Sequence, residues 1–407
     1  MSRYIAVISL FLLFQASYTH GQILTQEDSL NAGLMPKERA TVISGYGEAK
    51  ISYDTQLKTA TGNLTRAVLF VGHRFNNSIA LFSEIELENA VVGEESSAGE
   101  LSLEQLFIKF NINKDHYITA GLFLPRIGII NENHLPNTYY GNDRPFTEQL
   151  VLPATWRELG VGIYGPINLV TGLNYSAAIV NGLNSAAFVN GTGVREGRYL
   201  GSNASFTSLA FTGALLYYTG DFRFQVSGYY GGSAGLAQRQ ADSLQLDNST
   251  FGTPVGLVEA NAKYSGKYFS VTALASYVTI PDAYEINRAY ANNTPEAMTG
   301  GYVEAAVNVL KFFNAETKRS VNYFARYEIM NLNQIVADNG IVNDANEKNY
   351  FVTGIEYKPV SGVVIKCDYV FRTTGEQNPD LIINPFPQAQ PYYTDNGFFN
   401  IGLGYSF

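Results

Sequence analysis

From Val42 onward, apolar residues recur at every second position in one segment after another. Ile79, Leu81, Ser83, Ile85 and Leu87 alternate with Ala80, Phe82, Glu84, Glu86 and Glu88. Val321, Tyr323, Ala325, Tyr327 and Ile329 alternate with Asn322, Phe324, Arg326 and Glu328, and Val363, Ile365, Cys367, Tyr369 and Phe371 with Lys366, Asp368 and Arg372. A period of two belongs to an extended strand with one apolar and one wetter face. The last stretch repeats it: Phe399, Ile401, Leu403, Tyr405 and Phe407 share one face, and Asn400, Gly402, Gly404 and Ser406 the other. It stops on an aromatic residue of the apolar face, which suits a strand whose apolar side meets lipid.

The connections between these segments fall into two kinds. Tight ones hold turn residues, as in Asn76-Asn77, Asn113-Lys114-Asp115, Thr219-Gly220-Asp221 and Ser265-Gly266-Lys267. Long ones run over 54–63, 89–100, 127–156, 181–205, 231–253, 280–298, 331–348 and 375–395. Strict alternation of the two predicts an all-β fold: a transmembrane antiparallel β-barrel of about sixteen strands, with short periplasmic turns and long extracellular loops. In hydrocarbon an open sheet edge leaves backbone groups unpaired, so such a sheet must close on itself. The interior of such a barrel is too wide for side chains to fill, so it is expected to hold water.

Composition changes the picture in two places. Charged residues make up only 15% of the 407 while aromatics reach 13%, as expected where alternate residues face lipid and water. No run after the N-terminus approaches the roughly 18 apolar residues of a membrane helix. The N-terminus itself has Arg3, an apolar run from Ile5 to Phe14, and small residues before Gln22. The expected organisation is therefore a signal peptide over 1–21, a short periplasmic segment over 22–40 and the barrel over 41–407. Cys367 is the single cysteine and lies on an apolar face, so no intrachain disulfide forms. A net charge of -9 argues against a nucleic-acid partner.

Two stretches carry a family resemblance. The C-terminal strand ending at Phe407 resembles that of bacterial outer-membrane barrels, which implies recognition by their insertion machinery and residence in the cell outer membrane. Gly121-Leu-Phe-Leu-Pro-Arg126, Asn131-Glu-Asn-His134, Asn142-Asp-Arg-Pro-Phe146 and Trp156-Arg-Glu-Leu-Gly160 resemble the phosphate-selective porin O and P family, in particular its Bacteroidota-type relatives. In porins the third long loop commonly folds inward. The resemblance thus makes Glu132, His134, Asp143, Arg144, Arg157 and Glu158 constriction-loop candidates, with capping of the outer mouth or ion pairing to the wall as the alternative for each.

By parity, Arg66, Arg74, Glu84, Glu86, Glu88, Lys109, Arg326, Glu328, Lys366, Asp368 and Arg372 line the lumen. The two signs nearly balance, so the expected pore is general or weakly selective. His73, His116 and His134 are scattered without metal-ligand spacing, and no nucleophile stands beside a base. Neither a metal, a cofactor nor an enzymatic activity is expected. The function predicted is a porin: a water-filled channel for passive diffusion of small hydrophilic solutes or ions, narrowed by the third extracellular loop. The alternative is an adhesion or structural barrel with a blocked lumen. Outer-membrane lipid and permeating solutes are the expected partners, and porins of this size often form homotrimers.

Overall fold

The computed structural model describes residues 40–90, 99–379, 381 and 392–407. The expected signal peptide and, apart from Ala40, the expected periplasmic segment lie outside them. Sixteen strands follow one another: β1 Ala40–Asp54, β2 Thr59–Arg74, β3 Ile79–Glu88, β4 Glu100–Asn111, β5 Tyr117–Phe123, β6 Glu158–Pro166, β7 Leu173–Asn181 and β8 Leu209–Thr219 in the first half. The second half holds β9 Phe222–Gly232, β10 Pro254–Ser265, β11 Phe269–Thr279, β12 Pro295–Asn308, β13 Ser320–Val336, β14 Glu347–Val360, β15 Val363–Thr374 and β16 Asp395–Ser406. Each pairs antiparallel with its sequence neighbours, and β16 pairs with β1 to close the barrel. Beyond the ladder, Phe407 donates its N–H to the Gly45 carbonyl at 2.9 Å and accepts from the Gly45 N–H at 3.2 Å. With every strand paired on both sides, no edge is left to face hydrocarbon.

Side-chain alternation follows the sequence pattern. On β15, Ile365 and Tyr369 are 44% and 38% exposed whereas Lys366 and Asp368 between them are 3% and 2% exposed. Phe399, Ile401, Leu403 and Tyr405 of β16 face outward in the same way, and Cys367 lies half-buried on the outer face. These outer residues form the apolar surface that meets lipid, and the inner face carries the charges. No helix among the described residues is long and apolar enough to cross a membrane.

Two features depart from the sequence reading. The first outer connection is not a long loop over 54–63: β1 and β2 stay paired up to Asp54 opposite Thr59, leaving only 55–58 as the turn. Residues 59–64 of β2 are exposed on both faces; they pair with β1, which stays joined to β16 up to Asp54, but the ladder to β3 begins only at Arg66, and their polar sequence carries no alternation to reveal the strand. Second, the barrel interior is partly filled by loops. Ile127, Leu150, Leu152 and Trp156 from the connection after β5, Leu183, Phe188 and Val194 from that after β7, and Ile286 from that after β11 pack with inward strand residues such as Val255, Val278 and Met298 into one apolar cluster.

Candidate functional site

The connection between β5 and β6, residues 124–157 and hereafter L3, is the third outer connection. It runs inside the barrel from the long-loop rim to the short-turn rim and back. At the far rim Asn137 Nδ2 donates to the Ser361 carbonyl and to Ser406 Oγ, at 3.0 and 2.9 Å, and Lys358 Nζ donates to the Asn137 carbonyl at 2.8 Å. On the way back Lys366 Nζ donates to the carbonyls of Tyr139 and Gly141, at 3.0 and 2.8 Å. Arg326 reaches the carbonyls of Tyr140 and Asp143, at 3.1 and 3.2 Å. A short helix, Phe146–Leu150, then presents the Thr147 N–H to Glu328 at 2.8 Å. Buried loop carbonyls and N–H groups have no strand ladder to join, so inward-facing charged side chains satisfy them.

Backbone space for this loop is made by glycine. A Cβ on Gly404 would stand 2.6 Å from Pro136 Cβ, one on Gly402 would collide with Asn142 Oδ1, and one on Gly300 would meet Val151 and Thr147 of the short helix at 2.8 and 2.9 Å. Gly128, at φ +72°, lets L3 turn against the Glu148 carboxylate. That carboxylate accepts the N–H groups of Ile129 and Ile130, both at 2.7 Å, and the Tyr302 hydroxyl at 2.7 Å. Burial outweighs these three donors and pushes Glu148 up to about 7.

The six loop candidates are distributed along the wall. Glu132 accepts from Arg126 Nε at 2.7 Å, and Asp143 forms an ion pair with Lys50. Glu158, fully buried, accepts from Trp156 Nε1 at 2.7 Å and from Asn181. Arg144 and Arg157 each keep buried guanidinium nitrogen without a hydrogen-bond partner, Nε and Nη2 of the former and Nε of the latter. His134 sits beside Glu104, Nε2 to Oε2 3.5 Å. Burial works against its charge, but the Glu104 carboxylate prevails and raises it to about 9. Among the described residues, no hydrogen bond or ion pair joins any two of the six.

Of the strand residues read as lumen-facing, Arg66, Glu84, Glu86, Lys109, Arg326, Glu328, Lys366, Asp368 and Arg372 are buried inside the barrel. Arg74 is half-buried near the short-turn rim, and Glu88 is exposed near the other. Arg326 bridges Glu304 and Glu328, at 2.9 and 2.8 Å, and Arg66 Nε donates to Glu48 at 2.8 Å. Trp156 is wholly enclosed, its ring 4.7 Å from that of Tyr229, which makes it an anchor of L3 and leaves no face for a solute.

Four participants escaped the sequence reading. Glu48 takes the Tyr139 hydroxyl at 2.8 Å. Arg195 and Arg198, from the connection after β7, hold L3 carbonyls of Gln149 and Pro153 at 2.7 and 2.6 Å; burial brings Arg198 down to about 9. Glu104 turns inward because β4 carries a bulge: Gln105 pairs with Glu84 and Leu103 with Ile85, so Glu104 is the extra residue. Alternation counted back from the outward Leu106, Ile108 and Phe110 places Glu104 outward as well, and the change of phase against Leu101 and Leu103 was the available signal.

No family model matches the sequence. An uncharacterized protein of Aquifex aeolicus (strain VF5) is 30% identical over 346 residues, covering 82% of this chain and 76% of that protein. The chain belongs to the family of that protein. Among solved structures, the anion-selective porin from Comamonas acidovorans matches with TM-score 0.55 at 10% identity, covering 91% of this chain and all of the porin. The outer membrane channel DcaP of Acinetobacter baumannii matches with TM-score 0.55 at 13% identity, covering 92% and 99%. OmpT, an outer membrane protein of Vibrio cholerae that is described in a trimer form, matches with TM-score 0.53 at 11% identity, covering 91% and 100%. The fold is that of the sixteen-stranded outer-membrane porins, and a closed barrel with an apolar outer face belongs in the outer membrane.

Proposed function

We propose that the protein is an outer-membrane diffusion channel for small hydrophilic solutes or ions, and that L3 narrows its lumen. The observation that carries this reading is the state of the inner wall. Nitrogens of Arg144, Arg157, Arg223 and Arg372 are buried inside the barrel without a protein partner. Guanidinium groups are not left dry at such a site, so water or a passing anion completes their hydrogen bonds. At the short-turn side a vestibule of about 310 Å³ is lined by Tyr139, Tyr140, Lys263, Lys358 and Glu304 among others. It ends against L3, where the loop crosses toward Asn137. Kinship with the phosphate-selective porins O and P, and assembly as a homotrimer, are part of the proposal. The former rests on the stretches around Arg126 and Arg157, the latter on the trimer form of a structural neighbour.

Stable ohmic current steps from the purified protein in a planar bilayer test the reading. Absence of steps from correctly folded protein would instead favour the barrel with a blocked lumen. Lys263 faces the vestibule and makes no ion pair among the described residues, so it contributes a positive charge there that no direct partner holds. In a salt gradient, Lys263→Glu is expected to move the reversal potential toward cation preference. An unchanged reversal potential would remove that residue from the permeation path.

A further inference from the structure

We propose that Glu84 of β3, Glu104 of β4 and His134 of L3 form a buried site for a divalent transition-metal ion, with Zn²⁺ as the best-fitting occupant. One ligand atom from each lies within 4.8 Å of the others, and all three residues are buried. The histidine is already oriented: Nδ1 donates to the Asn131 carbonyl at 3.0 Å, which leaves Nε2 facing the carboxylates. A backbone acceptor behind the ring is the usual support of a metal-bound imidazole. The carboxylates are steadied in the same manner, Glu104 Oε2 by the Tyr46 hydroxyl at 3.0 Å and Glu84 Oε2 by Gln105 Nε2 at 2.7 Å.

A second observation points to an occupant. Glu104 Oε1 has no hydrogen-bond partner although the residue is 0% exposed, and Thr119 Oγ1 is equally without one. Thr119, Glu84 and His134 line a common cavity of about 40 Å³, room for an ion or a single water. Charge argues the same way. Glu84, Glu86 and Glu104 crowd this corner; of the guanidinium groups that act on Glu104, Arg66 is already held by Glu48 and stands 4.0 Å from Glu86, and Arg157 makes no ion pair with it. A lone imidazolium offsets one of these carboxylates; a divalent cation offsets two.

The donor set selects the ion class. Two carboxylate oxygens alone would suit magnesium or calcium, but those ions call for six or more oxygen ligands. One imidazole with two carboxylates in a small cavity fits zinc, with the cavity supplying a fourth, water-held position. Because His134 comes from L3 and the carboxylates from the wall, the ion would fasten the loop to β3 and β4. The site stands whether or not the barrel conducts.

Folded protein in detergent, stripped with a chelator and dialysed against Zn²⁺, is expected to retain one ion per chain by elemental analysis. Glu84→Gln and His134→Gln are each expected to weaken binding about tenfold or more, and His73→Gln to leave it unchanged. Co²⁺ in the wild-type protein should give visible absorption of a low-symmetry N/O site, which needs no variant to fold. Failure of the wild-type protein to retain Zn²⁺, or retention that is the same in Glu84→Gln and His134→Gln, would overturn the proposal.

Discussion

Arg326 concentrates more of the interior's polar contacts than any neighbour on β13. Its guanidinium holds Glu304 and Glu328 and reaches two L3 carbonyls at once. Removing it leaves two carboxylates facing each other across a buried wall with nothing between them. Arg326→Ala is therefore expected to cost about 3–5 kcal/mol, read as a lowered denaturant midpoint of the folded barrel. A Glu304→Gln, Glu328→Gln background should recover part of the loss, because it removes the charges left behind. At this scale much was legible: alternation along β13 and β15 places Arg326, Glu328, Lys366 and Asp368 on the inner face without any structure. Their partners were not, since they are backbone carbonyls of a loop that has no period. Glu104 was hidden for a different reason, one extra residue that reverses the phase of β4.

L3 is the element that turns a wide cylinder into a specific interior. It is secured by polar contacts at its tip, by the glycine gaps at Gly402 and Gly404, and by the apolar packing of Leu150, Val151 and Leu152 behind the short helix. Its inward course was suggested by family resemblance and not by periodicity, and the arginines from the neighbouring loop that clasp it gave no sequence signal. Glu148 makes the element sensitive to pH. A carboxyl raised from its ordinary 4.5 to about 7 binds its proton more tightly in the folded state. Its stabilising contribution is then fully present below about pH 4.5 and is lost as pH rises through about 7. Relative to Glu148→Gln, the wild-type protein should lose thermal stability between pH 5 and 8. A constant difference between the two across that range would show that Glu148 does not titrate there.

The whole molecule was largely readable in its pattern. Sixteen strands, even in number, emerge from the alternation of tight and long connections, and the outward aromatic and aliphatic residues follow from period two. The misread first connection shows the limit: the start of β2, residues 59–64, is exposed on both faces and has no hydrophobic alternation, so it looks like a loop. The packed apolar cluster inside the barrel was equally invisible, because it joins inward strand residues to loop residues far apart in sequence. It also bears on the proposed conduction, since a diffusing solute would have to pass where charged wall and L3 meet and not down the middle of an empty cylinder. The most direct measurement is single-channel conductance of the wild-type protein beside a variant in which residues 135–143 are replaced by a short glycine-serine link. A several-fold larger ohmic step in the shortened variant is the predicted result. Equal conductance in the two, or none in either folded protein, would contradict a lumen narrowed by L3.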